Sequence, residues 1–305
     1  MTQLLPLNAI ENPPSFRNAV INGDCLVAQR GNVAVSNNAT TYGGADRIYF
    51  FSSGFTTISG TISRINGSAT SNGYAQSIAL TTTGTGQVQF GTRLESKDTA
   101  RFNSKTVTVS MKVYQDTGSA QTLTLGVNKA TATDNFASTS VVGTSSGISI
   151  PSATWTPVSA TFTLGATDGV YGLQIMAYFA SIGALTGKTF AIGDLQFEQG
   201  SVASVIENPP YAESLYRCYR YYEAYTYSVT TYNGGASSGI QAGGIAFRAP
   251  KVNVPTVTFG SLTYANASAL VTRGTITTTG CPLSLTVTAA GPATVDFAYV
   301  ANAEL

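Results

Sequence analysis

The 305-residue chain contains no histidine. That absence excludes a Ser-His-Asp triad, a Cys-His dyad, a histidine general base and any histidine-liganded zinc site. Its three cysteines, Cys25, Cys218 and Cys281, lie far apart with no C-x-x-C spacing. Such a set argues against a disulfide framework and a thiolate metal site, and predicts free thiols in a reducing compartment. Charge is also scarce. Charged residues make up 10 % of the chain, with 16 basic residues against 15 acidic ones, where an average globular chain has about a quarter. No electrostatic footprint for nucleic acid or an anionic membrane results. No stretch approaches the roughly 18 apolar residues that a spanning helix needs. The opening MTQLLPLNAIENPP lacks the basic start and apolar run of a signal peptide, so neither membrane insertion nor a leader is expected.

What is present is threonine, serine, valine, alanine and 31 glycines, with 16 tyrosines and 14 phenylalanines. This composition predicts an all-β protein with many tight turns. From Phe16 to Val205 about eleven stretches read as strands, spaced as in a two-sheet sandwich. The alternation is plainest in Lys105 to Tyr114. There Val107, Val109, Met111 and Val113 share one face, and Thr106, Thr108, Ser110 and Lys112 share the other. After Asn233-Gly234-Gly235 a second, smaller β region runs to the end, with strands near 238–247, 256–262, 269–277, 283–288 and 295–301.

Between them, Ile192 to Tyr227 reads as a last strand, a turn at Gly200, a linker, Pro209-Pro210 and an aromatic helix. Asn208 suits an N-cap and Pro209 the first helical position. Tyr211, Leu215, Cys218, Tyr222 and Tyr225 follow at coiled-coil spacing. Glu213, Arg217, Arg220 and Glu223 fill a second, charged stripe. That seam, beside a β region small for independent stability, predicts a homotrimer packed through those five residues. The expected organisation is an extended arm (1–15), a jelly-roll β-sandwich (16–205), linker and helix (206–228), and a second smaller β-sandwich (229–305). Ile10–Pro14 and Ile206–Pro210 are both IENPP, read as extended connectors.

The segment QFEQGSVAS…ENPPYAESLYRCYRYYEAY resembles one that recurs in tail-fibre and receptor-binding proteins of tailed bacteriophages. The matching residues are Gln196, Phe197 (usually Leu), Glu198, Gly200, Pro210, Tyr211, Glu213, Leu215, Cys218, Arg220, Tyr221 and Tyr222. NGDCLVAQRG, Ala45-Asp46-Arg47, TWTPVSATFTL, IAFRAPKVNVPTVTF and the ending FAYVANAEL are similar to further stretches of the same proteins. The resemblance implies a virion tail fibre assembled in the bacterial cytoplasm. It would dock other virion proteins through the arm and bind host polysaccharide or lipopolysaccharide without catalysis. The implied jelly roll is itself similar to carbohydrate-binding modules. A purely structural virion component is the alternative, and a depolymerase a third reading.

Acidic residues are too few to favour hydrolysis. The best-placed pairs, Glu95 with Asp98 and Asp194 with Glu198, read as ordinary charges, and no catalytic residue is assigned. Related jelly rolls imply a structural calcium where the chain's start meets its last strand, here Asp24 with Asp194. Aromatic rings are the natural sugar platform. Tyr42 and Tyr74 in the first domain and Tyr232 and Tyr264 in the second are the chosen candidates. Tyr49, Tyr114, Tyr171 and Tyr178 are the other first-domain tyrosines considered. Trp155, the lone tryptophan, is expected in the core. Host contacts are expected after the helix, at the turns Asn233–Gly239 and Tyr264–Ala269, with the first sandwich as the competing location.

Overall fold

The alternation at 106–115 is realised except at Thr108, which lies on the polar face and is nevertheless buried. Val107, Val109, Met111 and Val113 are buried in the core, and Ser110, Lys112 and Tyr114 face outward, half-buried. The computed structural model describes residues 17–233 and 239–305, so the expected arm (1–15) and most of the Asn233–Gly239 turn lie outside the described residues. The chain divides into two units, one reaching Tyr211 and including Leu305, the other spanning Ala212–Glu304.

The first unit contains β1 (Val33–Ala34), β2 (Thr41–Tyr42), β3 (Tyr49–Ser53), β4 (Thr57–Asn66), β5 (Tyr74–Thr83) and β6 (Gly86–Leu94). A short helix, α1 (Ser96–Thr99), precedes β7 (Thr106–Gln115), β8 (Gln121–Ala132), β9 (Asn135–Thr144) and β10 (Ile148–Ile150). β11 (Thr156–Thr163), β12 (Leu173–Ile182) and β13 (Leu185–Gln199) complete it. Two antiparallel sheets result. One has six strands in the order β1-β4-β5-β13-β7-β11; the other has seven, β10-β8-β12-β6-β3-β2, with β9 beside β8. Phe50, Phe90, Phe179, Phe190 and Phe197 are among the side chains packed between them. The unit is a jelly-roll β-sandwich.

The stretches NGDCLVAQRG and Ala45-Asp46-Arg47 clasp the opening segment of this unit. Asn22 Nδ2 donates to the carbonyls of Val27 and Asp46, at 2.9 and 2.8 Å. The Asp46 carboxylate accepts from Gln29 N at 3.0 Å and Gln29 Nε2 at 2.6 Å. Asn18 bridges to β13, donating to Leu195 O at 3.0 Å and accepting from Phe197 N at 3.0 Å. Gly23 is needed where it stands, because a Cβ there would lie 1.9 Å from Leu195 O. These buried groups are matched donor to acceptor, as burial requires.

The second unit departs further from expectation. α2 (Tyr211–Tyr219) ends before Tyr222, and β14 (Tyr222–Asn233) follows directly. Tyr222 and Tyr225 therefore lie on a strand, and the helical seam stops at Cys218. The run YYEAYTYSVTTY is rich in aromatic and β-branched residues, which favour a strand once a partner is present. That partner is the last strand of the chain, paired with β14 from Tyr222↔Asn302 to Asn233↔Gly291. Asn208 does not cap the helix either; its Oδ1 accepts from Ser71 Oγ at 3.3 Å.

The remaining strands are β15 (Gly239–Ala246), β16 (Thr256–Ala265), β17 (Ala267–Thr272), β18 (Gly280–Val287) and β19 (Gly291–Asn302). They form two three-stranded sheets, β14-β19-β16 and β15-β18-β17. Val295, Phe297 and Tyr299 of β19 pack with Leu283, Leu285 and Ile245 in a core of their own. This is the second, smaller β-sandwich.

Inside it, Glu223 and Lys251 are fully buried and paired at 2.7 Å. Glu223 also accepts from Arg248 N at 3.0 Å and from the Tyr299 hydroxyl, while Lys251 donates to Tyr219 O. Burial lowers the Lys251 pKa, opposed by its bond to Glu223. Burial and Glu223 together raise that of Tyr299. Glu223 is thus a core residue and not part of a solvated charged stripe. Removing one member of such a pair leaves the other buried and unpaired. Lys251→Met is expected to destabilise the second unit by about 3–5 kcal/mol in urea unfolding, and Glu223→Gln added to it to recover part of the loss. A Lys251→Met protein unfolding at the wild-type midpoint would show that the pair does not hold this core.

Candidate functional site

Between Gly193 and Gln196 the pairing of β13 with β7 shifts register. Asp194 sits in that bulge at φ +53°, a left-handed conformation that aspartate tolerates better than most residues. The kink aims Asp194 at the outer face of the six-stranded sheet. Its Oδ1 accepts from Ser71 N at 3.0 Å and Ser71 Oγ at 2.8 Å, and its Oδ2 pairs with Lys112 Nζ at 3.1 Å. Lys112 Nζ also donates to Ala69 O.

Beyond Gly200 the chain returns over this face as a strap. Glu198 accepts from Ser204 N at 2.7 Å and Ser204 Oγ at 2.6 Å. Gln196 donates to Ser204 Oγ at 3.1 Å and accepts from Glu207 N at 3.0 Å. Asn18 N donates to Glu207 at 2.9 Å. Between strap and sheet lies a cavity of about 380 Å³, with Ser110, Lys112, Pro157, Ser159, Asp194 and Ser204 among its lining residues. Ser110 and Ser159 are directly opposite each other on β7 and β11.

Two residues beyond Lys112 and Pro157, roughly 7 Å along those strands, stand Tyr114 and Trp155. Their rings lie 5.5 Å apart at 39°, and both are half-buried. The expectation of a core position for Trp155 is therefore corrected. It continues the outward-facing positions Pro157 and Ser159, whereas Thr156 and Val158 face inward opposite Val113 and Met111.

The seven-stranded sheet also has an aromatic outer face; it is closed around Tyr49, whereas Phe51 and Tyr178 on it are half-buried. Tyr49 lies across Gly91, where a Cβ would meet its hydroxyl at 2.3 Å. The Tyr49 hydroxyl accepts from Gln89 Nε2 at 2.8 Å and Gln174 Nε2 at 2.5 Å. Tyr49 is 0 % and Gln174 8 % exposed. These groups satisfy one another and are shielded from solvent.

The sequence-chosen tyrosines do not converge. Tyr42 packs edge-on to Tyr49 at 5.9 Å with Arg30 over its ring. Tyr74, on the other sheet, packs on the core beneath Arg64 at 4.4 Å. Tyr264 packs on the second core, its hydroxyl accepting from Leu270 N at 3.1 Å, whereas Tyr232 is 72 % exposed. Of the five residues expected at a trimer interface, Cys218 and Tyr222 are buried, Leu215 is half-buried, and Tyr211 and Tyr225 are exposed. All three cysteines are free and buried. Glu95 is buried beside Lys97 at 2.9 Å and Asp98 is exposed, so they do not face one another across a cleft.

Asp24 and Asp194 are neighbours, as the calcium expectation required. Burial, with Asp194 contributing, raises the Asp24 carboxyl above the usual range. Their partners, however, are donors: Lys112 and Ser71 on Asp194, and Asn72 Nδ2 on Asp24 at 2.9 Å. A hard cation needs six to eight oxygen ligands, and this ammonium-filled set does not fit one. Among the described residues no group of three or more His, Cys, Asp or Glu could hold a metal.

No protein-family model matches the chain, and no curated protein is similar to it in sequence. Solved structures with a similar fold include a carbohydrate-binding module of the β-sandwich superfamily, 12 % identical with a TM-score of 0.39. That match covers 53 % of this chain and 63 % of the module's own, less than two thirds of its length. A CBM4 module is 15 % identical (59 % and 99 % covered, TM-score 0.35). A xylan-binding domain from Paenibacillus barcinonensis is 13 % identical (58 % and 100 %, TM-score 0.33). No ligand position follows from overlaps of this quality.

The residues missed from sequence are Ser71, Ser110, Lys112, Ser159, Asp194 as a pocket acid, and Ser204. Strand parity did place Ser110 and Lys112 outward; what covers them needs the strap. A test of the closure around Tyr49 is alkaline unfolding. Burial pushes the Tyr49 hydroxyl up to about 12, so the unfolded chain releases this proton first. Stability from Tyr49 is complete below about pH 10 and is lost as pH rises toward 12. Tyr49→Phe is expected to cost about 1–3 kcal/mol at pH 7 and to flatten that alkaline loss. An unchanged alkaline profile would contradict the burial.

Proposed function

We propose that this chain is a tail-fibre or receptor-binding protein of a tailed bacteriophage that holds host-surface glycan, without cleaving it, on the outer face of its six-stranded sheet. The observation that carries the reading is the half-exposed Trp155–Tyr114 pair beside a pocket lined with hydroxyls. Ring faces cover the apolar faces of a sugar, and polar neighbours hold its hydroxyls. The virion assignment rests on the motif residues from Asn22 to Tyr222. The reading puts the glycan on the first sandwich, not on the region after the helix, because Tyr232 and Tyr264 lie on opposite faces of their sheet. Repeated weak contacts on a symmetric fibre would supply avidity.

A purely structural virion component is the second reading. It is favoured by the use of the motif residues Asn22, Asp46, Gln196 and Glu198 for internal clasps. The two readings differ in adsorption. The purified protein is expected to compete with phage for host cells, and Trp155→Ala to weaken glycan binding about tenfold, the equivalent of 1.4 kcal/mol. Failure of the wild-type protein to compete would favour the structural role.

The fibre is read as a homotrimer, now through the exposed Tyr211 and Tyr225 rather than through Cys218 or Tyr222. Sedimentation at micromolar concentration should give three times the chain mass. A monomer under those conditions would end this part of the proposal.

A further inference from the structure

Resting on the glycan-binding reading, we infer that the pocket under the strap selects an uncharged sugar unit, with the next unit of the chain stacked on Trp155 and Tyr114. The cavity of about 380 Å³ falls within the roughly 300–1,000 Å³ typical of ligand sites. It also lies one strand step, roughly 7 Å, from the ring pair.

Its polar groups carry the choice of charge. A lysine ammonium has three protons to give, and an ionised carboxylate about four acceptor positions. Lys112 gives one proton to Asp194 and one to Ala69 O, which leaves one. Asp194 accepts three close contacts from Ser71 and one from Lys112, with both bonds from Ser71 N shared across its oxygens at 3.0 and 3.1 Å. Because that N–H is a single donor, one acceptor position on Oδ2 stays open. The pair therefore offers one donor and one acceptor about 3 Å apart, the complement of two neighbouring sugar hydroxyls. On the pocket floor, Ser110 and Ser159 stand opposite each other across strands, and each hydroxyl can give and accept hydrogen bonds.

An acidic sugar meets the opposite situation. Its carboxylate could take only the one remaining proton of Lys112, and would then stand against the Asp194 carboxylate that already shares that ammonium. The surrounding groups add to the repulsion. Glu198 holds Ser204, Glu207 follows Ile206 on the strap, and Asp24 is close enough to feel Asp194. Beside these four carboxylates stand Lys112, Arg17, which donates to Val205 O at 3.2 Å, and Arg64, which donates to Leu26 O near Asp24. Like charges brought together in this way are how a site rejects a ligand.

The test uses the full chain against immobilised neutral hexose oligosaccharides and their uronate- or sialate-containing counterparts. Wild-type protein is expected to hold the neutral set and to bind the acidic set at least about tenfold more weakly, a 1.4 kcal/mol difference. Asp194→Asn keeps an acceptor for Ser71 N and tolerates the left-handed backbone, and it should raise acidic-sugar binding while sparing the ring pair. Ser159→Tyr, at an exposed position on an edge strand, should fill the pocket and weaken neutral binding about tenfold even if Asp194→Asn does not fold. Preference for acidic sugars, or neutral binding untouched by Ser159→Tyr while Trp155→Ala abolishes it, would overturn the pocket assignment and leave the glycan reading standing. No binding to either set would remove the glycan reading itself.

Discussion

Two polar side chains on a buried sheet face, Gln196 and Glu198, organise the first unit. An amide and a carboxylate taken out of water cost several kcal/mol unless each is hydrogen-bonded. The strap meets that demand, with Ser204 on Glu198 and Gln196, and Glu207 reaching back to Gln196 and to Asn18. Because these bonds fix the strap over the sheet, they also create the wall of the pocket. The same residues that make QFEQG…ENPP a recognisable motif thus work by satisfying one another, and the cavity is a consequence of that satisfaction.

The bulge at Asp194 is the companion constraint. Without the register shift, strand parity would carry Leu195 and Phe197 away from the core, where both are buried. With it, Asp194 is turned toward Lys112 and Ser71, and the opening segment closes against Leu195 through Gly23 and Asn18. Loss of that close approach by adding a Cβ at Gly23 would push apart the two ends of the sandwich. Calcium would serve a similar closing role in such a place. Here Lys112 and Asn72 already neutralise and cap the two acids.

In the second unit the buried Glu223–Lys251 pair plays the corresponding part. Such pairs contribute little net stability against an apolar replacement, but they penalise every arrangement that separates them. Glu223 opens β14 and Lys251 lies in the loop before β16. Their contact, with Tyr219 O and Tyr299 as further partners, fixes where helix α2 ends and the sheet begins. A tyrosine spacing that fits a helical seam is thereby overridden by pairing with β19 along twelve residues, since a strand joined to a partner satisfies its backbone and buries alternate rings.

Composition and period-two alternation by themselves determined an all-β chain, two sandwich regions around a short helix, the inward face of β7, and three thiols without bridges. Those properties follow from local chemistry: β-branched residues, turn glycines and cysteine spacing act over a few residues. Strand parity also made Ser110, Lys112 and Tyr114 legible as outward-facing. Only the tertiary structure decided which outward positions are open, that Tyr49 is sealed by Gln89 and Gln174 while Trp155 is not, and that Tyr222 belongs to a strand. It also decided that Asp194 meets a lysine instead of a metal. Each depends on groups more than thirty residues apart in the chain, such as Ser71 with Asp194 or Tyr222 with Asn302, and no local pattern encodes a partner at that distance.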